Sequence, residues 1–145
     1  MKTLTTSDIW DLCNQYHIKL NGVFCRDEIP SKLHQGWYIL NLDKSSGGGS
    51  HWTAWYYGKS YNLYFDSFGF EPPQELANKI QPFKYNSKKI QNLNSDSCGW
   101  FSLYCIAYCE RRGNDLNAFN SFLSLFTDKP ENNEQILENY YMDQR

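Results

Sequence analysis

Residues 94–110 read Asn94-Ser95-Asp96-Ser97-Cys98-Gly99-Trp100-Phe101-Ser102-Leu103-Tyr104-Cys105-Ile106-Ala107-Tyr108-Cys109-Glu110. Four residues of the helix-capping type lead into a run that is apolar nearly all round. A helix with no polar face is a buried helix. Arg111-Arg112-Gly113 ends it, with cations in the last turn and glycine as the C-terminal stop. The chain is therefore built around one buried helix that begins near Cys98.

The segments on either side of that helix set the fold class. Trp37–Leu42 reads as a buried strand, and His51–Tyr57 and Tyr61–Asp66 as aromatic-rich strands. Val23-Phe24-Cys25 is a short apolar run, and Pro82–Tyr85 and Lys89–Gln91 are weaker strand candidates. A helix is expected over 5–16, capped by Ser7, with Ile9, Leu12, Cys13 and Tyr16 on one face. A short helix follows Pro72-Pro73. Two more are expected over about 115–126 and 131–141, starting at Asn114 and at Asp128-Lys129-Pro130-Glu131. This order predicts an α+β fold, a small antiparallel or mixed sheet packed on the central helix, in one domain across 1–145.

Composition narrows the function. The 145 residues carry 14 Lys+Arg against 16 Asp+Glu, a net charge of −2. Nucleic-acid binders usually carry a basic surplus, so that partner gains no support. The Lys79, Lys84, Lys88 and Lys89 stretch reads as a solvated face. No apolar run reaches membrane-helix length, and the first residues lack a signal-peptide core. Cys13, Cys25, Cys98, Cys105 and Cys109 are odd in number, which points to free thiols in a reducing, intracellular setting.

Gly58-Lys59 suits a two-residue hairpin turn. Tyr57 then pairs with Ser60 and, at the far end, His51 with Asp66. Directly opposed residues share a face at bonding range. A four-residue loop would instead oppose His51 with Phe68. The pair reads either as two exposed side chains or as an acid that fixes an imidazole for nucleophilic catalysis. Cys98 has two readings as well. It is either a small apolar residue at a helix end, or a nucleophile in a first turn whose dipole favours thiolate and whose N–H groups can hold an oxyanion. Gly99 leaves room beside the sulfur for a substrate backbone.

The other candidates are plainer. Cys105 and Cys109 read as inert buried thiols, Cys25 as strand core and His34 as surface. Cys13 and His17 have metal-pair spacing, but no second pair completes a zinc site. The glycine run at 47–49 lacks the Lys-Ser/Thr of a phosphate loop, and no serine-hydrolase elbow occurs.

Taken in order, these pieces resemble the adenovirus-type cysteine proteases and their relatives that cut SUMO. Gly49-Ser50-His51-Trp52-Thr53-Ala54-Trp55 resembles the His-Trp strand of that group. Tyr64-Phe65-Asp66-Ser67-Phe68-Gly69 resembles its acidic member and turn. Gln91 stands where the adenoviral members place an oxyanion glutamine, and Ser97-Cys98-Gly99-Trp100 resembles the nucleophile segment. Gly22-Val23-Phe24-Cys25-Arg26-Asp27-Glu28-Ile29-Pro30 resembles a segment of virophage and virus-like-transposon proteases, which brings Asp27 in as a substrate-side residue.

The resemblance implies a Cys98-His51-Asp66 triad with Gln91 in the oxyanion hole. It also implies that Trp52 walls a narrow channel suited to glycine, although a core role for Trp52 competes. No metal or other cofactor is implied. The Cys that tethers an activating peptide in adenoviral members has no counterpart between Cys25 and Cys98, and the net charge argues against a DNA cofactor. The expected function is a monomeric maturation endopeptidase of viral or transposon origin. It would cut capsid precursors at Gly-containing sites in the host cytoplasm, nucleus or virus factory, with a place in the virion. A deconjugase acting on SUMO or ubiquitin is the alternative within enzymes, and a non-catalytic binding module the alternative outside them.

Overall fold

A computed structural model describes residues 1–48 and 51–144. The elements run α1 (Thr6–Tyr16), β1 (Gly22–Cys25), β2 (Gly36–Asn41), β3 (Trp52–Tyr57), β4 (Asn62–Phe65), α2 (Gln74–Ile80), β5 (Phe83–Tyr85), α3 (Cys98–Glu110), α4 (Leu116–Leu123) and α5 (Pro130–Asp143). The fold is α+β, with a five-stranded mixed sheet in sequence order. The inner pairs β2–β3 and β3–β4 are antiparallel, and the outer pairs β1–β2 and β4–β5 are parallel.

Both faces of the sheet are covered, which is why its central strands read as continuous apolar runs. Strand residues alternate between the faces. Trp37, Ile39, Trp52, Ala54, Tyr56, Leu63 and Phe65 join Phe101, Leu103, Cys105, Ile106 and Cys109 of α3 in the larger core. Tyr38, Leu40, Trp55 and Tyr64 pack with Leu76 and Ile80 of α2 on the other face. Tyr38 stacks on Trp55 with ring centroids 4.7 Å apart. A large side chain taken from such a core to Ala typically costs about 3–5 kcal/mol.

Several sequence expectations shift. Thr5, not Ser7, caps α1, in a reciprocal box with Asp8. Asp115, not Asn114, caps α4 by accepting from Ala118 N–H. Asn114 adopts φ 56 after α3 has ended, and its side-chain oxygen accepts from Trp37 Nε1–H. Lys89–Gln91 forms no strand. Ile90 and Gln91 instead donate their N–H groups to the Ser67 carbonyl. Lys88 is not a free surface cation, because its ammonium donates to the Phe126 carbonyl at 2.6 Å.

The hairpin register also differs. Ala54 opposes Phe65 and Tyr57 opposes Asn62, so the loop has four residues, Gly58 to Tyr61. The side-chain oxygen of Asn62 accepts from Gly58 N–H across that loop at 3.0 Å.

Candidate active site

The longer loop moves every cross-strand partner by two residues. His51 lies beyond the first residue of β3, where the observed register opposes it to Phe68. Asp66 becomes its diagonal neighbour on the same face, still within side-chain reach. Both relations are used. The His51 and Phe68 rings stack with centroids 4.3 Å apart and planes within 12°. His51 Nε2 bonds Asp66 Oδ1 at 2.6 Å. Gly49 and Ser50, which precede His51, lie outside the described residues.

Asp66 is fully buried, and its surroundings fix it. Oδ1 also accepts from Phe68 N–H at 2.8 Å. Asn86 grips the Asp66 backbone on both sides: its oxygen accepts from Asp66 N–H at 3.0 Å, and its amide donates to the Asp66 carbonyl at 2.6 Å. Gly69 N–H donates to the same carbonyl at 2.7 Å. Gly69 has φ +82, and a Cβ there would come within 2.9 Å of the Ser87 carbonyl oxygen. Only glycine serves this turn, which folds back to place Phe68 over the imidazole.

Cys98 is the first residue of α3 and is buried. Its sulfur accepts from Trp52 N–H at 3.3 Å, so the nucleophile candidate bonds the first residue of β3. Burial pushes the His51 imidazole toward neutrality. The hydrogen bonds and charges of Asp66 and Cys98 outweigh it, and His51 rises to about 9. With Nε2 committed to Asp66, Nδ1 is the nitrogen left for Cys98. His51 is thus bonded to Asp66 and under the influence of Cys98.

Gln91 is buried as well. Its Nε2 donates to the Ser95 carbonyl at 2.7 Å, and its Oε1 accepts from the Ser67 hydroxyl. A carbonyl only accepts, so the amide orientation is fixed. The Ser95 bond uses one of the two amide hydrogens.

A cleft of about 350 Å³ lies beside the sulfur. His51, Trp52 and Cys98 line it together with Thr3 to Thr6, Cys25, Asn41, Lys44, Gly47 and Gly48. Cys25 is therefore half-exposed on the cleft wall rather than strand core. Trp52 serves both of its competing roles. It lines the cleft, yet it is buried in the larger core with its indole N–H donating to the Leu4 carbonyl at 2.8 Å.

Gly99 has a packing reason for its identity. A Cβ there would lie 2.8 Å from Leu4 Cδ1 and 3.1 Å from Trp52 Cδ1. The room expected for a substrate backbone is filled by the protein's own side chains. Asp27 does not line the cleft either. Its two oxygens accept from Ser45 N–H at 2.8 Å and Ser45 Oγ at 2.7 Å, which holds its carboxyl below the usual range and anchors the loop bearing Lys44, Gly47 and Gly48.

Asp27, Cys25 and Glu28 are the one group among the described residues whose spacing could take a metal. Cys13 and His17 form no such group there. All five cysteines are free thiols. Among the described residues no helix is long and apolar enough to cross a membrane.

Sequence reading missed Asn86, Leu4 and Ser95. Asn86 and Leu4 act through backbone and packing contacts far from their own sequence positions, so no local pattern marks them.

Comparison with known proteins adds the fold class. No family model and no curated protein matches the chain. Among solved structures, the ASFV pS273R protease superposes with TM-score 0.51 at 18% identity, covering 87% of this chain and 63% of that one. A deletion variant of AvrA, solved with IP6 and CoA, superposes with TM-score 0.50 at 17% identity, covering 72% and 47%. The chain thus spans less than two thirds of the length of either structure. Both neighbours have the adenain- and Ulp1-like cysteine protease fold, and so does this chain.

Proposed function

We propose that the protein is a cysteine endopeptidase with Cys98 as nucleophile. The observation that carries this reading is His51 bonded to a fully buried Asp66 at 2.6 Å and under the influence of Cys98. With its proton already resting on the His51 cation at Nδ1, the Cys98 sulfur attacks the scissile carbonyl as the thiolate. The tetrahedral oxyanion is held by Cys98 N–H and by the second amide hydrogen of Gln91. Collapse breaks the C–N bond, and His51 protonates the departing amine, leaving a thioester. Water then attacks the thioester, His51 takes its proton, and the acid product leaves as the thiolate is restored. Asp66 holds the imidazole orientation throughout and balances its charge in a buried site.

The substrate reading is a protein precursor cut next to glycine, as in maturation of a viral or transposon capsid inside the host cell, by a monomeric enzyme. It is supported by the cleft's position. The thiol is flanked by Trp52, whose indole is locked to Leu4, so little width is left for a side chain at the residue joined to sulfur.

The test incubates the protein with a peptide library spanning Gly-Gly, Gly-Ala and bulky junctions, with SUMO and ubiquitin fusions, and with acetyl-CoA. Cleavage of Gly junctions, lost in Cys98→Ala, is expected. Rapid cutting of a folded modifier with peptides untouched would replace this reading with deconjugation. Thioester turnover without peptide cleavage would replace it with acyl transfer.

A further inference from the structure

We propose that Glu134 is a positioning residue that sets both oxyanion donors of this site from a single carboxylate. The inference rests on the mechanism above and adds to it a residue on α5, outside every protease-like segment of the sequence.

The observation begins with an unused cap. Ser97 occupies the N-terminal cap of α3, yet its side chain makes no cap bond. A capping serine normally accepts from an N–H of the first turn. Here the hydroxyl is turned away and donates to Glu134 Oε1. The first-turn N–H groups next to the Cys98 sulfur are thereby left without a side-chain acceptor competing for them. Glu134 Oε2 accepts from Ser95 Oγ at 3.0 Å, and Ser95 Oγ in turn accepts from Ser97 N–H at 3.2 Å. The Ser95 carbonyl is the group that orients the Gln91 amide, at 2.7 Å.

One carboxylate oxygen therefore holds the residue directly before Cys98. The other holds the residue whose carbonyl aims Gln91. Hydroxyl bonds to a carboxylate are charge-assisted and stronger than neutral ones, so the spacing between the two donors is stiff. The anchor is firm as well. The neighbouring Asn133 is fully buried and donates to the Ile90 and Thr127 carbonyls, both at 3.0 Å. Helix α5 thus grips the 90–97 loop at both ends.

The test compares wild type with Glu134→Ala, Glu134→Gln and, in case the first folds poorly, Ser97→Ala. Four quantities are read: kcat and KM on a cleaved peptide, affinity for a peptide aldehyde ending in glycinal, and the rate of alkylation of Cys98 by iodoacetamide. The aldehyde forms a hemithioacetal whose oxygen enters the oxyanion hole, whereas alkylation develops no oxyanion.

Glu134→Ala is expected to lower kcat and aldehyde affinity about 10- to 100-fold, less than outright deletion of an oxyanion donor. KM and the alkylation rate should stay near wild type. Glutamine can accept from one serine and donate to the other, so Glu134→Gln should recover most of the loss. Unchanged aldehyde affinity in both Glu134→Ala and Ser97→Ala overturns the inference, and so does an alkylation rate that falls in step with kcat. A wild type that binds the aldehyde but cuts no peptide overturns the endopeptidase reading alone, and aldehyde affinity then still decides the role of Glu134.

Discussion

His51 and Asp66 extend from β3 and β4, and backbone geometry places them: the strand register, the Gly69 turn and the Asn86 clamp on the Asp66 main chain. Cys98 and Gln91 flank an irregular loop, and side-chain bonds through Ser67, Ser95, Ser97 and Glu134 place them. The proton-transfer half of the site is thus part of the sheet, and the nucleophile and oxyanion half is suspended from helices. Trp52 bridges the halves, with its N–H on the sulfur and its ring in the larger core. The contrast teaches that each half can be loosened without unfolding the other.

The largest expected effect is Cys98→Ala. Peptide cleavage should fall to the uncatalysed level while circular dichroism and the thermal midpoint stay near wild type, because a small buried thiol gives way to a smaller apolar side chain. Turnover within about tenfold of wild type would place the nucleophile elsewhere.

Asp66→Asn comes next and breaks only the sheet half. A loss of about two to four orders of magnitude in kcat is expected. The variant also tests the charge argument through pH. The folded protein holds His51 as a cation up to about 9, against 6.5 for an ordinary imidazole. A raised cation contributes stability that is complete below about pH 6.5 and disappears as pH rises through about 9. Urea midpoints of wild type should therefore drop between about pH 6 and pH 10. The drop should shrink in Asp66→Asn, whose alkaline limb of activity should also move to lower pH. A wild-type midpoint indifferent to this range would refute the charged imidazole.

The smallest effect is expected from Asn86→Ala, which removes the clamp on the Asp66 backbone without touching the carboxylate. Two buried bonds go, costing about 1–3 kcal/mol of stability. The rate of cleavage should fall by about tenfold, the equivalent of one pH-independent kcal-scale misplacement. A pH profile that keeps its wild-type shape would separate this positional defect from the charge defect of Asp66→Asn.

Much of this was legible in the sequence. The apolar run from Cys98 announced a buried helix because no polar face interrupts it, and the aromatic runs announced strands because both of their faces are covered. The meeting of His51 with Asp66 was also legible, but through the wrong register. Asn62 bonding Gly58 N–H stabilises a longer loop, a side-chain event that turn propensity does not encode. Diagonal neighbours then meet as readily as opposed ones. Gly99 was recognised for its size and assigned the wrong occupant, since Leu4 lies 95 positions away in the chain. Glu134 could not be read at all. Nothing local distinguishes it from the other acids of α5, and its partners are set by how that helix docks.

Leu4 also bears on how the protein should be handled. Residues 2–4 are pinned by two indoles, Trp100 donating to the Lys2 carbonyl and Trp52 to the Leu4 carbonyl, each at 2.8 Å, while Thr3 faces the cleft. Any cut or insertion within residues 2–4 would leave both indole N–H groups without these acceptors and open the cleft wall beside Cys98, so this stretch should be kept intact in any assay of the site.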